Sequence, residues 1–506
     1  MSGSLDGVYE ELISRAKEIS LIYSCLSVLD WDQKTYMPPN GAEQRSGQVS
    51  LLAGMGHRKF TDPQIGELLD ALVSGKYAQD DYSDEATNIR ELKRQYDKAK
   101  KVPNSLVIEI SKVTTLADSV WVEAREKSDF ASFQPWLEKV IDLKHQYAEC
   151  VGYPKEPYDA LLDDYEPGAT VEAIGKVLGS FRKDLVAFVE KILGSGKHPD
   201  ISIVSRDYPV EKQEIFGKMA AAAIGFDFNS GRLDVTTHPF CTGLGPGDTR
   251  ITTRYNPKHF NDAFFGILHE SGHGIYDQGL DRNHWGTPRG ESISLGIHES
   301  QSRMWENLVG RSRSFWIYFH PIAQRIFTEA LQDVSLDDFY FAVNAVEPSF
   351  IRVEADEVTY NLHILVRFEI EHAFFKGDLK VADIPSTWNE RYKHYLGITP
   401  ANDAQGCLQD VHWSNGYIGY FPTYALGNLY AAQFFAKARK DISDLEDQFS
   451  LGQFGDLREW LRKNIHAHGQ KYRAGKLVEV VTGKPLSHIP LMEYLRAKFG
   501  SLYNAG

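Results

Sequence analysis

Apolar side chains recur every three or four residues along most of this chain, the spacing at which one face of an α-helix is buried while the other stays in water. Between Ile351 and Phe368 they fall at Ile351, Ala355, Val358, Leu362 and Leu365, a single stripe that predicts a helix over that whole stretch. Similar amphipathic runs predict helices near Tyr9 to Leu29, Val171 to Leu193 and Leu426 to Lys437. Ser335 followed by Asp338 reads as a capping signal, with Phe339, Phe341, Ala342 and Val343 continuing inward. One region breaks the rhythm. Arg232 to Thr237 and Arg250 to Tyr255 are rich in β-branched residues, and Gly243, Gly245, Pro246 and Gly247 lie between them, which predicts two strands joined by a glycine-rich loop. That feature reads equally as a plain structural hairpin or as an extended edge able to hold a peptide by main-chain hydrogen bonds. Gly194 to Pro199 is the best candidate for an exposed loop. No internal repeat or independent domain follows it, so residues 1–506 are expected to form one mainly helical catalytic domain.

Composition narrows the class without naming a chemistry. Hydrophobic residues make up 42% and charged residues 25%, ordinary for a chain with a large core. A net charge of -14, without long Lys/Arg runs, argues against nucleic acid or an anionic membrane surface as the main partner. The cysteines, Cys25, Cys150, Cys241 and Cys407, form no C-x-x-C pair and no dense disulfide framework, which fits a reducing compartment. Met1 to Lys17 lacks the basic segment and apolar run of a signal peptide, no stretch reaches the roughly 18 apolar residues that span a bilayer, and the C-terminus carries no retrieval signal. A cytoplasmic protein is expected.

The chemistry is carried by His269-Glu270-Ser271-Gly272-His273. Residues four apart share a helix face, so His269 and His273 can grip one cation, while Glu270, about 100° around the helix from His269, is poorly placed as a ligand and well placed as a base. Phe264, Phe265, Leu268 and Ile275 make the surroundings apolar, and Gly266, Gly272 and Gly274 permit close backbone packing. A catalytic zinc usually takes three protein ligands and keeps a position open for water. The residue six after His273 is Gly279, which rules out a third histidine at that spacing; Glu291 and Glu299 are the nearest glutamates after the motif, and Glu299 is preferred because Ile297, Met304 and Leu308 give its segment a buried helical face.

With these residues the chain resembles the carboxypeptidase Taq family of metallocarboxypeptidases over nearly its whole length. The blocks that carry the likeness are Trp31-Asp32-Gln33-Lys34-Thr35-Tyr36-Met37-Pro38, His238-Pro239-Phe240, Asp248 to Thr252, the H-E-x-x-H helix, His298-Glu299-Ser300-Gln301, Ile351 to Asp356, and Gly406 to Trp413. The resemblance implies a two-lobed helical body with a deep groove and a small β-sheet at its edge, similar to neurolysin and angiotensin-converting enzyme, and commonly a homodimer. It implies that His269, His273 and Glu299 bind one zinc ion per subunit, replaceable by cobalt, and that Glu270 is the catalytic carboxylate serving a zinc-activated water as base and then acid. His412 and Tyr420 look like the His-then-Tyr pair of the related helical peptidases and are candidates to stabilise the tetrahedral oxyanion, although Tyr417, Tyr420, Tyr424 and Tyr430 also read as core aromatics. Arg352, through its family block, is the leading candidate for the substrate's terminal carboxylate, with Arg250 as competitor; Arg352 and Asp356, four apart, also read as an intrahelical ion pair. His238 and Tyr424 are further candidate substrate contacts, and Asp248, Asp356 and Asp410 candidate carboxylates behind the ligands. The activity implied is release of single amino acids from peptides with a free C-terminus. An oligoendopeptidase or dipeptidyl carboxypeptidase with the same metal site, or a non-catalytic helical peptide-binding protein, are the alternatives.

Overall fold

Thr170 accepts a hydrogen bond from the backbone N–H of Ala173 and so starts a helix at Val171–Leu193, the span the periodicity predicts. Its buried residues Val171, Ile174, Leu178, Phe181, Leu185, Phe188 and Ile192 follow the three-four spacing. The computed structural model describes residues 4–505 and is mainly helical, with a single small sheet among the described residues. The helix expected near Tyr9 to Leu29 runs over Leu5–Thr35, and that near Leu426 to Lys437 runs over Pro422–Asp441. At Ser335 the hydroxyl oxygen accepts from Asp338 N at 3.1 Å and its O–H donates to the Asp338 carboxylate at 2.7 Å, opening the helix Leu336–Val343.

The chain divides into two compact units. The first comprises Met1–Lys100, Asp200–Val343 and Phe434–Pro485, the second Lys101–Pro199, Asn344–Gln433 and Leu486–Gly506. Each is assembled from three separated stretches, so no single cut of the chain isolates either one. The four cysteines are free thiols, and no helix among the described residues is long and apolar enough to cross a membrane.

Two expectations are corrected. The stretch from 351 to 368 is not one helix: Arg352–Glu354 forms a single 3-10 turn and the α-helix begins only at Tyr360. The backbone N–H of Arg352 is taken by the Gln409 side chain at 2.8 Å, and Asp356 accepts from the N–H groups of Val358 and Thr359 at 2.8 and 2.9 Å, which starts the helix after it rather than through it. The β region is not a two-stranded hairpin. Strands β1 (Gly231–Val235), β2 (Cys241–Gly245) and β3 (Asp248–Thr253) form a sheet of order β1-β3-β2, in which β1 lies parallel to β3 and β2 antiparallel to it. The glycine-rich segment expected as a loop is itself the second strand, returning to β3 through Pro246 and Gly247, whose φ of 88° suits the residue without a Cβ.

Candidate metal centre

The H-E-x-x-H sequence lies on α1 (Phe260–Gly279), whose first turns are fixed by aromatic packing in the first unit. Phe264 stacks on Phe260 and Phe216 with ring centroids 5.1 and 4.9 Å away and touches Trp316 at 5.3 Å, while Phe265, Ile267 and Leu268 are also buried. Farther along, Gly272 lets the next helix come against the backbone: a Cβ there would stand 2.6 Å from the carbonyl oxygen of Gln301. That second helix, α2 (Leu295–Arg303), is capped by Ser294, which accepts from Ile297 N, and continues into a π-helical segment, Met304–Val309. Such segments are frequent at functional sites.

This packing brings His269, His273 and Glu299 together, with one donor atom from each lying within 4.8 Å of the others. Glu299 Oε2 is 3.6 Å from His269 Nε2 and 3.4 Å from His273 Nε2. Each imidazole is oriented from behind. His269 Nδ1 bonds Glu306 at 2.8 Å; His273 Nδ1 meets His298 Nδ1 at 2.5 Å, and His298 Nε2 meets Asp277 at 3.0 Å. Glu299 is itself held by Arg303 Nε at 2.7 Å and by the Ser302 hydroxyl at 3.0 Å. Two imidazole nitrogens and a carboxylate oxygen, each with its remaining polar atoms already engaged, fit a divalent cation of the zinc type.

Burial and neighbouring charges set the protonation states. Burial lowers the His273 imidazole to about 4, leaving it neutral, as a ligand must be. For Glu299 burial works against ionisation, yet Arg303 and His269 outweigh it and hold the carboxyl well below its usual range. Burial pushes the Glu270 carboxyl up to about 7, with Glu299 and Glu306 adding to the rise. Among the described residues Glu270 has no hydrogen-bond partner, so a buried carboxylate one position from a ligand stands uncommitted and poised near neutrality.

In the second unit another cluster joins Arg352 and the loop residues Asp410, His412 and Tyr420 to α3 (Tyr360–Lys376) and to the first turn of α4 (Pro422–Asp441). Asp410 is shared between two guanidinium groups: Arg352 Nε and Nη2 approach its Oδ1 at 3.0 and 2.9 Å, and Arg367 Nε approaches its Oδ2 at 2.6 Å. Arg352 also donates to the Tyr360 hydroxyl at 3.1 Å, and its guanidinium lies 5.0 Å from the Tyr424 ring centroid. His412 Nε2 is 3.3 Å from the Tyr424 hydroxyl, its ring 5.2 Å from that of Tyr420, and burial lowers its imidazole to about 3.

The chain matches the carboxypeptidase Taq (M32) metallopeptidase family over residues 11–499. The chain belongs to the carboxypeptidase Taq (M32) family. It is similar to thermostable carboxypeptidase 1 of Thermus thermophilus, 48% identical with 98% of this chain and 99% of that protein covered. Carboxypeptidase 1 of Bacillus subtilis is 40% identical over 98% of each. The crystal structure of the M32 carboxypeptidase from Deinococcus radiodurans R1 superposes with a TM-score of 0.95 at 39% identity, covering 98% of this chain and 100% of that one. As a member of the M32 family the protein is a metallocarboxypeptidase, a peptide hydrolase.

The remaining residues expected of an M32 site lie as follows. Arg250, on β3, has its fork closed on Asp248 at 2.9 and 2.8 Å and its guanidinium over the Trp31 ring at 4.1 Å. His238 is exposed on the connection between β1 and β2. The outer nitrogens of the imidazole pair are engaged by Glu306 and His298, whereas Asp248 grips Arg250, Asp356 starts a helix and Asp410 joins two arginines. The intrahelical Arg352–Asp356 pair does not form, because Arg352 precedes the helix and turns to Asp410. The sequence assigned no role to Asp277, Arg303 or Glu306, nor to His298 beyond its place in a family block. Two of these carry a signal: Asp277 continues the four-residue spacing of His269 and His273, and Glu306 lies seven residues beyond Glu299 on the same segment.

Proposed function

We propose that this M32 enzyme is a zinc-dependent carboxypeptidase that removes single residues from the free C-terminus of peptides, with residues 1–506 acting as one catalytic domain. The observation that carries the reading is the convergence of His269, His273 and Glu299 with the uncommitted Glu270 beside them. Zinc held by those three residues would supply Lewis acidity toward water and the scissile carbonyl. Glu270 accepts a proton from the attacking water and returns it to the nitrogen of the departing amino acid, a double role suited to a carboxyl near neutrality. Arg352 binds the substrate's terminal carboxylate through its planar fork. His412, kept neutral by burial, and Tyr420 donate hydrogen bonds to the carbonyl oxygen as it gains charge, each contributing about 3 kcal/mol. Arg250, His238 and Tyr424 complete the contacts to the peptide, the first constrained by its closed pairing with Asp248.

Cobalt is expected to replace zinc, with one ion per subunit of a homodimer, as the family resemblance implies, and the scattered cysteines, which fit a reducing compartment, point to the cytosol. The decisive experiment is a digest of matched peptides with free and amidated C-termini, with and without chelator, followed by mass spectrometry. The expected products are single residues released stepwise from the free end, only when metal is present. Equal cleavage of the amidated peptides, internal cuts, or products that appear unchanged under chelation would overturn the reading.

A further inference from the structure

Three charges meet around Asp410, and only part of the cluster is open to a ligand. The Arg352 side chain is 8% exposed and that of Asp410 11%, whereas Arg367, on the buried helix α3, is 0% exposed. Arg367 therefore cannot touch a substrate, yet it shares a carboxylate with the residue that would. Opposite Asp410 alone, Arg352 would be half of a neutral pair, and an incoming carboxylate would meet a guanidinium whose charge is already compensated. Opposite Asp410 and Arg367 together, the cluster carries two positive charges and one negative.

The surroundings do not cancel that excess. His363 and His412, the imidazoles nearest the arginines, are both kept neutral by burial. Glu371, one turn beyond Arg367, accepts from Tyr158 at 2.6 Å, Trp413 at 2.7 Å and Gly419 N at 2.9 Å without pairing with the arginine, and burial raises its carboxyl to about 7, so below neutrality it adds little negative charge. Aromatic faces flank both cations: Trp388 lies 4.5 Å from the Arg367 guanidinium, and Phe421 lies 5.4 Å from Arg367 and 5.8 Å from Arg352. Such faces favour a cation without neutralising it.

We propose that Arg367 is a positioning residue for substrate recognition: by compensating Asp410 from the sealed side, it leaves the charge of Arg352 available to the terminal carboxylate while Asp410 keeps the Arg352 fork oriented. The inference deepens the role given to Arg352 above and rests on it. It makes Asp410 an orienting group whose negative charge is harmful unless compensated.

The test compares KM and kcat for a peptide that the wild-type enzyme cleaves, in its free-acid and amidated forms, in zinc-loaded variants. Arg367→Met is expected to raise KM for the free acid roughly 10-fold or more, in line with loss of a charge-assisted contact. It should narrow the preference for acid over amide while kcat changes much less. Arg367→Lys should recover most of the preference. Asp410→Asn added to Arg367→Met should also recover it, because Arg352 then faces a neutral acceptor; a merely structural role predicts that the double variant is no better than the single. If Arg367→Met does not fold, the double variant decides alone: acid preference retained supports the inference and acid preference lost overturns it. A folded Arg367→Met enzyme with wild-type preference also overturns it. Arg352→Met separates the two levels of argument. If that variant keeps the wild-type preference, the role of Arg352 itself fails; if it loses the preference and Arg367→Met does not, only the present inference fails.

Discussion

The metal-binding cluster and the arginine cluster are both buried assemblies of ionisable groups, and they differ in which kind predominates, carboxyl groups at the first and arginines at the second. Around α1 and α2 the carboxyl groups of Glu270, Glu299 and Glu306 face one closely bonded cation, Arg303 at 2.7 and 3.2 Å, and a more distant one, Arg311 at 3.8 Å. Around α3 a single carboxylate, Asp410, pairs with two arginines, and the Glu371 carboxyl nearby, raised to about 7 by burial, forms no pair with either. Burying charge without full compensation is unfavourable, and a pair of apolar residues of the same volume would commonly be no less stable. The difference tells what each cluster lacks: a cation at the first, an anion at the second. On the proposed function, stability is given up in both places for binding.

Breaking the first cluster should have the largest effect. His273→Ala or Glu299→Ala removes one of three ligands, so zinc should fall below one equivalent and turnover should drop by more than about a thousandfold, the several kcal/mol that metal polarisation supplies. Metal analysis with kcat measurement checks this, and stoichiometric zinc in both variants would remove these residues from the ligand set. In the second cluster, Arg352→Ala removes charge-assisted hydrogen bonds worth about 1.5 to 3 kcal/mol, which should raise KM for free-ended peptides roughly 10- to 150-fold. Removing an orienting partner is milder. Glu306→Ala frees His269 Nδ1, and zinc affinity measured by chelator competition should weaken about 10- to 100-fold.

The smallest effect contrasts two buried carboxyls of the second unit. Asp410, paired with two arginines, is held well below the ordinary carboxyl range despite burial, whereas Glu371, given only neutral donors, is raised by burial from 4.5 to about 7. Below the ordinary value both the folded and unfolded chains hold the Glu371 proton; between that value and about 7 only the folded chain does, so raising pH through this window lowers stability, by at most about 3 kcal/mol. Asp410 acts in the opposite direction, stabilising above the ordinary carboxyl range and losing that contribution on acidification. Urea unfolding at about pH 5 and about pH 7 should show a smaller loss for Glu371→Gln than for wild type. An equal loss would mean that the Glu371 carboxyl is not raised.

How far each feature was legible depends on whether its cause is local. The helix at Val171–Leu193 is written in its cap and its spacing, and the H-E-x-x-H pair names its own geometry. The stripe from Ile351 to Leu365 misled because Asp356 starts a new turn inside it by accepting from Val358 N and Thr359 N, while Gln409 and Asp410, far along the chain, hold Arg352 outside the helix. Parallel pairing of β1 with β3 was invisible for a related reason: β-branched composition marks a strand without fixing its neighbour, and Gly243 and Gly245 give β2 little side-chain signal. At the candidate metal centre, the motif named His269 and His273 and the resemblance added Glu299, the three that converge, while Glu306 and Arg303 act through a tertiary turn that spacing alone does not reveal. Arg367 was hidden among apolar residues of a helix buried on nearly every side; the polar series His363, Arg367, Glu371 at four-residue intervals is its one trace in the sequence.

The role proposed for Glu270, proton acceptor beside a three-ligand metal, is tested most directly by kcat of zinc-loaded Glu270→Gln. The expected result is one equivalent of zinc retained with kcat reduced roughly 100- to 10,000-fold. A fully zinc-loaded variant turning over within a few-fold of the wild-type enzyme would contradict it.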